Sequence, residues 1–312
     1  MRKQRIRIYF CLLGLAVFSF CLNPGYAAPV RVVVAMPSSV DGTPVSVIVQ
    51  AFSEQLKKDA PGAEVVLIAF GKDDANDTKQ VHEKLSQASA NVIVAVGSKL
   101  AKSVQTAKLD VPVVFTMVLS PLRNGVSPPG VSLNISYQKK FESFSKMISG
   151  FSKVGVLYSE GMKEEVDKVR EGCAAVKCEV VAIPVADDKD LPSATNSVMD
   201  GIQLFVITPD VKVYFPKAVE EVLQEALKRR VPVLGLSSTY TKAGALISFD
   251  CDYPALGQQT AGIVAEVLRG GRPQEVVAPE KIGYSINVQI AKRIGMNIDD
   301  SWVKGAQEVF GR

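Results

Sequence analysis

Residues 231–260 read VPVLGLSSTYTKAGALISFDCDYPALGQQT. Two apolar runs, 231–234 and 245–249, flank one polar turn, and a second polar turn leads into a long helix. Gly235, Gly244 and Gly257 punctuate the stretch where tight backbone is expected. Ser237, Ser238, Asp250 and Asp252 fall just past strand ends, which is where open α/β sheets place their ligands.

Outward from this stretch, strands and helices alternate with little interruption. Strand patterns at 30–35, 64–70, 91–96 and 111–115 are separated by helical patterns at 45–58, 77–87 and 98–108. The cluster Ser127-Pro-Pro-Gly130, followed by 131–135, reads as a crossing into a second set. That set has helices at 138–149, 162–176 and 215–229 and strands at 153–157, 179–183 and 202–207. Alternation of this kind argues for parallel sheets with crossover helices rather than a sandwich or a bundle. The length of 312 residues is enough for two core-bearing lobes, and length alone would also allow one large single-sheet domain.

The opening stretch also resembles a family. ABC-transporter substrate-binding proteins of the tryptophan-binding-protein type commonly read P-V-F-G-S, then K-G-A-L-A-T-Y-G, then D-Y-Y-E-L-G-R-Q-T. Here the blocks stand as Pro232-Val-Leu-Gly235, Ala243-Gly-Ala-Leu246-Ile-Ser-Phe249 and Asp252-Tyr-Pro-Ala-Leu-Gly257-Gln-Gln-Thr260. Pro112-Val-Val-Phe115 followed by Ser120-Pro121 resembles the family's I-V-F-A-x-x-x-D-P, and Val154-Gly-Val-Leu-Tyr158 its I-G-V-I-Y-N. The resemblance implies an α/β fold of two doubly wound parallel-sheet lobes joined by a hinge, a type I periplasmic binding protein. It further implies that helix 254–269 returns to the first lobe and that the tail from Gly283 recrosses to the second. Lobe one is then 28–133 plus 251–282, and lobe two 134–250 plus 283–312.

Residues 1–27 read as a signal peptide. Arg2, Lys3, Arg5 and Arg7 form a basic head, 8–22 is almost wholly apolar, and Asn23-Pro-Gly-Tyr-Ala27-Ala28 supplies a turn and small residues for cleavage. The apolar run is shorter than the roughly 20 residues that span a bilayer. A lipid anchor on Cys21 would need a small residue before it, and Phe20 stands there. The expected location is the periplasm. Without the leader's four cations the 36 basic residues fall to 32, equal to the 32 acidic ones. A neutral mature chain offers no basic face for nucleic acid or an anionic membrane.

Three cysteines remain in that oxidising compartment. Cys173 and Cys178, with a helix end and a strand start between them, are candidates for a local disulfide, which leaves Cys251 free. A metal site is not expected, because His82 is the only histidine and lies far from any cysteine.

Candidate ligand contacts follow strand ends. Ser38 and Ser39, Ser98, Ser120, and Ser237 with Ser238 each follow a strand and are expected to open the next helix. Serine at an N-cap satisfies orphan backbone donors, and several helix N-termini converging on one crevice could hold a carboxylate. Each serine taken singly also reads as a plain cap. By the resemblance, Gly97-Ser98 occupies the small hydroxyl loop that receives the ligand, and Ser120 stands where relatives carry aspartate before proline. Phe205-Val-Ile-Thr-Pro-Asp210 matches the family's Y-V-P-T-D-N, keeping Thr208 and putting Asp210 at the asparagine. Ser159 takes the asparagine position of Y-N. These departures change the groups offered to a ligand. Asp252 matches the family's D-Y and reads either as a receiver for a ligand ammonium or as the cap of the following helix. The one tryptophan, Trp302, lies in a terminal helical pattern that covers a lobe surface, so a small molecule with a carboxylate or several polar groups fits better than an oligosaccharide.

No nucleophile elbow, phosphate loop or metal-ligand spacing is present, so no catalytic residue, metal or cofactor is expected. The expected function is capture of a small polar organic ligand, an amino acid or related carboxylate, by a monomer that delivers it to an ABC permease. A periplasmic sensor for a membrane receptor or kinase is the rival reading, and an exported α/β enzyme the minor one.

Overall fold

The computed structural model describes residues 30–38, 43–148 and 150–312; the expected leader at 1–27 lies outside them. The first lobe's elements are β1 (Arg31–Pro37), α1 (Pro44–Asp59), β2 (Glu64–Phe70), α2 (Thr78–Ser86), β3 (Val92–Val96), α3 (Ser98–Thr106), β4 (Val113–Val118) and β5 (Gly130–Ser132). The chain then builds α4 (Tyr137–Met147), β6 (Lys153–Tyr158), α5 (Lys163–Ala175), β7 (Glu179–Pro184), α6 (Leu191–Val198), β8 (Leu204–Val206), α7 (Pro216–Lys228), β9 (Val233–Gly235), α8 (Ser238–Ala243) and β10 (Ile247–Cys251). After these come α9 (Tyr253–Leu268), β11 (Val276–Val277), β12 (Ile282–Asn287), α10 (Val288–Arg293), α11 (Asp300–Gly305) and β13 (Glu308–Phe310).

Two sheets result. One runs β11-β5-β4-β3-β1-β2 and is parallel throughout; the other runs β13-β12-β10-β9-β8-β6-β7. Strands such as β3, Val-Ile-Val-Ala-Val and buried at every residue, need cover on both faces, as parallel sheets do. The first sheet is covered by one apolar cluster containing Val33, Ile93 and Phe115 and another containing Val32, Val94 and Val114. The second sheet is likewise sandwiched, with Phe205 and Val233 facing one core and Leu204 and Leu234 the other. Each lobe is therefore doubly wound.

The chain passes between the sheets three times: between β5 and α4, between β10 and α9, and between β11 and β12. Helix α9 packs on α1 of the first lobe. Gly257 permits this, since a Cβ there would lie 2.4 Å from the Ile48 carbonyl oxygen. The Thr260 hydroxyl donates to the Leu256 carbonyl at 2.8 Å and accepts from Thr116 of β4 at 2.9 Å, fixing the helix on the sheet.

The second sheet is parallel-dominated, with one antiparallel pairing. Strand β12 enters from the third crossing and lies antiparallel to β10, with Ile247 opposite Ile286, before β13 adds in parallel beyond it. A strand delivered by a direct crossing rather than by a crossover helix arrives running the other way. Cys173 in the last turn of α5 is bonded to Cys178 ahead of β7, their Cα atoms 4.9 Å apart, and the Cys178 N–H donates to the Cys173 carbonyl at 2.9 Å. Cys251 is free and buried. Trp302 of α11 packs on Tyr284 with ring centroids 5.0 Å apart, against the apolar cluster that holds Leu204 and Leu234.

Candidate functional site

Parallel strands place all their carboxyl ends on one edge of a sheet, where the loops carry the candidate residues. In the first lobe, Ser38 follows β1, Ser98 follows β3 and Ser120 follows β4; Ser39 lies outside the described residues. In the second lobe, Ser159 follows β6, Thr208 follows β8 and Ser237 follows β9, and Asp252 follows β10 where the chain crosses back.

The serines do not behave alike. Ser98 is the first residue of α3, and the cap is Gly97 at φ 88°. Ser237 caps α8 without a side-chain hydrogen bond, so neither hydroxyl is consumed by its own helix. Ser38 and Ser120 differ from expectation because no helix begins at them. Helix α1 starts at Pro44 after Thr43, while the exposed Ser38 gives its N–H to the Phe70 carbonyl at 2.9 Å. Ser120 sits at φ 46° and donates its N–H to Asn134 Oδ1 at 3.0 Å, which ties the loop after β4 to the first crossing. A turn follows it, in which the Pro121 carbonyl accepts the N–H groups of Asn124 and Val126 and the Leu122 carbonyl that of Gly125, instead of a propagating helix.

Asp210, Ser159 and Thr208 form one buried arrangement. The Asp210 carboxylate, 3% exposed, accepts the Ser159 N–H at 2.6 Å and the Lys212 N–H at 3.1 Å. It therefore braces the loop after β8 against the end of β6. The Tyr214 hydroxyl donates to the Leu157 carbonyl at 3.0 Å and accepts the Leu157 N–H at 3.2 Å, and burial pushes its ionisation far above the ordinary tyrosine range. Beside this engaged hydroxyl, Thr208 Oγ1 is buried with no hydrogen bond of good geometry. A buried hydroxyl without a well-formed hydrogen bond costs about 1–3 kcal/mol, and Thr195 in α6 is another such group.

Asp252 caps α9, its Oδ1 accepting the Ala255 N–H at 2.9 Å, which is the second of its two sequence readings. Its own N–H donates to the Lys281 carbonyl at 3.3 Å, joining the second crossing to the third. Beneath α8 a buried relay holds the Ser237 loop. Thr241 Oγ1 donates to Ser248 at 2.7 Å and accepts from Ser285 at 2.8 Å, and the Asn287 amide donates to the Thr241 carbonyl at 3.0 Å.

Sequence reading missed a second group at the start of α4. Tyr137 donates to Glu165 Oε1 at 2.9 Å, and the Tyr253 hydroxyl contacts both oxygens of Asp250 at 3.0 and 3.1 Å. Lys140 Nζ lies 4.8 Å from the Tyr137 ring centroid. Burial pushes the Lys140 ammonium below its ordinary range, against the pull of Glu165, Cys251 and Asp250. Burial also pushes the Cys251 thiol up to about 12, helped by Asp250 and opposed by Lys140 and Lys139. Adjacent lysines on a helix with mixed charges read as a solvated face, so no pattern in the sequence singles out Lys140.

A pocket of about 430 Å³ lies at the other edge of the first sheet, lined by Gln105, Lys108, Pro112, Pro129 and Arg272 among others, and none of the candidate residues line it. Among the described residues no helix is long and apolar enough to cross a membrane.

Residues 33–310 match the family model described as ABC transporter substrate binding protein. No match is found among curated protein sequences. Among solved structures, the chain is similar to a ligand-free, open substrate-binding protein with adhesive properties from Clostridium difficile, at 19% identity and TM-score 0.72, covering 90% of this chain and 99% of that one. It is also similar to a Streptococcus pneumonia ABC domain in complex with L-Trp, at 18% identity and TM-score 0.53, over 91% and 100% of the two chains. A periplasmic ribose ABC transporter protein from Conexibacter woesei is similar at 12% identity and TM-score 0.52, over 89% and 97%. These likenesses establish the fold of two parallel-dominated sheets with flanking helices.

Proposed function

The chain belongs to the ABC transporter substrate-binding protein family, and we propose that it captures a small polar organic ligand in the periplasm and hands it to an ABC permease. In this reading the leader at 1–27 is cleaved, lobe one is 28–133 plus 251–282, and lobe two is 134–250 plus 283–312. The two carboxyl edges face one cleft, with Ser98 and Ser120 on one wall and Thr208 and Ser237 on the other. The ligand favours closure by touching both walls, so its binding energy pays for the change of shape. Asp210, Ser159 and Asp252 support those loops, their carboxylate and backbone groups being engaged by neighbours.

The observation that carries this reading is the buried Thr208 hydroxyl, which has no hydrogen bond of good geometry beyond its approach to Tyr214, at the carboxyl edge of a doubly wound sheet. Mechanistically the protein is a carrier: family and fold point to binding, and the groups at the edge are hydroxyls and backbone donors suited to hold polar atoms without transforming them. Mass spectrometry of small molecules released from the purified protein, then calorimetry on the best candidate, tests it. Saturable binding with one site per chain and no turnover supports the carrier; turnover of the bound molecule, or no released or bound molecule, rejects it.

A further inference from the structure

A sheet edge is a row of unpaired backbone donors and acceptors, which natural proteins blunt by shortness, charge or proline. Among the described residues the two sheets end on β2, β7, β11 and β13, and the last three are blunted. Strand β11 has two residues and β13 three. Strand β7 is longer, but the Glu179 N–H donates to the Ser152 carbonyl at 2.8 Å and the Val185 N–H to the Tyr158 carbonyl at 2.9 Å, so its odd positions face β6. Its outward positions are Val180, Ala182 and Pro184, the last without an N–H to offer.

Strand β2 has none of these devices. It reads Glu-Val-Val-Leu-Ile-Ala-Phe over seven residues, pairs with β1 at every position without a bulge, and carries no proline and no charge after Glu64. The Glu64 N–H donates to the Val30 carbonyl at 2.8 Å and the Phe70 carbonyl accepts the Ser38 N–H at 2.9 Å, so the even positions are spent on β1. The backbone groups of Val65, Leu67 and Ala69 therefore point outward, and among the described residues nothing bonds to them. Leu67 shares a face with Val65, which packs into the cluster under α1, yet Leu67 is 51% exposed and Ala69 is exposed as well.

We propose that β2 pairs antiparallel with β2 of a second copy of this chain, about a two-fold axis at Leu67, joining two first-lobe sheets into one and giving a dimer in place of the monomer expected from sequence. The outward set is symmetric about that residue. Val65 meets Ala69 of the second copy, Leu67 meets its own counterpart, and each opposed pair exchanges two N–H···O bonds without a bend or a shift in either strand. The ends match in charge. Exposed Lys57 and Lys58, with Asp59, close α1 at the amino end of β2, whereas exposed Asp73 and Asp77 follow its carboxyl end, with Lys72 and with Asp74 already paired to Lys84. Antiparallel pairing sets the basic end of each copy beside the acidic end of the other. Strand β2 is also the edge farthest from β5 and β11, where two of the crossings begin, so a second copy there leaves those crossings and the loops after β3 and β4 uncovered.

The test uses protein purified from the full-length coding sequence and needs no ligand, so its outcome is separate from that of the ligand-capture reading. Sedimentation equilibrium over a concentration series should show monomer and dimer in exchange. Leu67→Lys, which puts like charges at the axis, should raise the dissociation constant at least about tenfold with an unchanged circular dichroism spectrum. Oxidative cross-linking reads the register. Leu67→Cys, with Cα atoms about 5.5 Å apart across the axis, should give a disulfide-linked dimer, whereas Ala69→Cys, about 13 Å along the strand from its counterpart, should not. A chain that is monomeric throughout the series, or that associates without stopping at a dimer, overturns the proposal. So does a Leu67→Lys dimer as tight as wild type, or equal cross-linking through both cysteines. Should Leu67→Lys misfold, amide exchange on the wild-type protein decides: protection of Val65, Leu67 and Ala69 that fades on dilution supports the pairing, and exchange independent of concentration rejects it.

Discussion

The Lys139 ammonium on α4 lies 2.7 Å from the Pro279 carbonyl oxygen, so a helix of the second lobe grips the strip of chain that enters it from the first. The same strip is held from the other side by Gln259 of α9, whose amide donates to the Ala278 carbonyl at 2.9 Å and accepts the Glu280 N–H at 3.2 Å. Lys139→Met should free this crossing. Amide exchange in 278–281 is expected to accelerate about tenfold, as for loss of one or two hydrogen bonds of about 1 kcal/mol, with β3 and β8 unchanged. Unchanged exchange would show that the clamp carries no load.

Thr208→Val keeps shape and removes the unpartnered hydroxyl. Stability should stay level or rise by up to about 1 kcal/mol, because an unsatisfied buried group is deleted. Ligand affinity, read by calorimetry, should fall about tenfold. A variant that is destabilised while binding normally would place the hydroxyl in the scaffold alone.

Asp210→Ala removes the acceptor of two backbone N–H groups at a site closed to water. The expected loss is about 2–3 kcal/mol, seen as a lower denaturant midpoint with the slope conserved. Asp210→Asn, which keeps one acceptor oxygen, should recover part of it. An Ala variant as stable as wild type contradicts the bracing role.

Cys251 couples the fold to alkaline pH. Its thiol ionises near 9.0 in an unfolded chain and at about 12 in the folded protein, where burial and then Asp250 disfavour the thiolate. The folded state therefore holds a proton that the unfolded state releases first. The stabilising contribution is full below about pH 9 and declines as pH rises toward about 12. Denaturation midpoints of wild type and Cys251→Ala should converge as pH rises across this window. Iodoacetamide at pH 8 should leave the native thiol unmodified and label it after unfolding. Rapid native labelling would contradict the burial.

Much of the architecture was legible in residues 231–260 and their surroundings because apolar runs such as Val92–Val96 have no use outside a doubly covered parallel sheet. The return of α9 to the first lobe was legible only through family resemblance, since Gly257 says that something approaches closely but not that the something is Ile48. The antiparallel entry of β12 left no mark, because alternation along 282–287 is the same in either direction. At the edge, strand ends followed by hydroxyls located the loops. Which groups were already spent depended on partners 51 residues apart, as Asp210 and Ser159 are, and on whether each of two neighbouring lysines reached a carbonyl. Local pattern carries no such information.

The threading between sheets has a consequence in time. Helix α1 is complete at residue 59, yet the helix that covers it spans 253–268, and the first sheet gains its last strand only at 276–277. While the chain is being made, the side of α1 that faces α9, Ile48 included, stays bare until most of the second lobe has followed. Contacts of such long sequence separation form slowly. The interval favours holding the emerging chain unfolded until it is complete, and a chain stopped before residue 253 would leave that side without its cover.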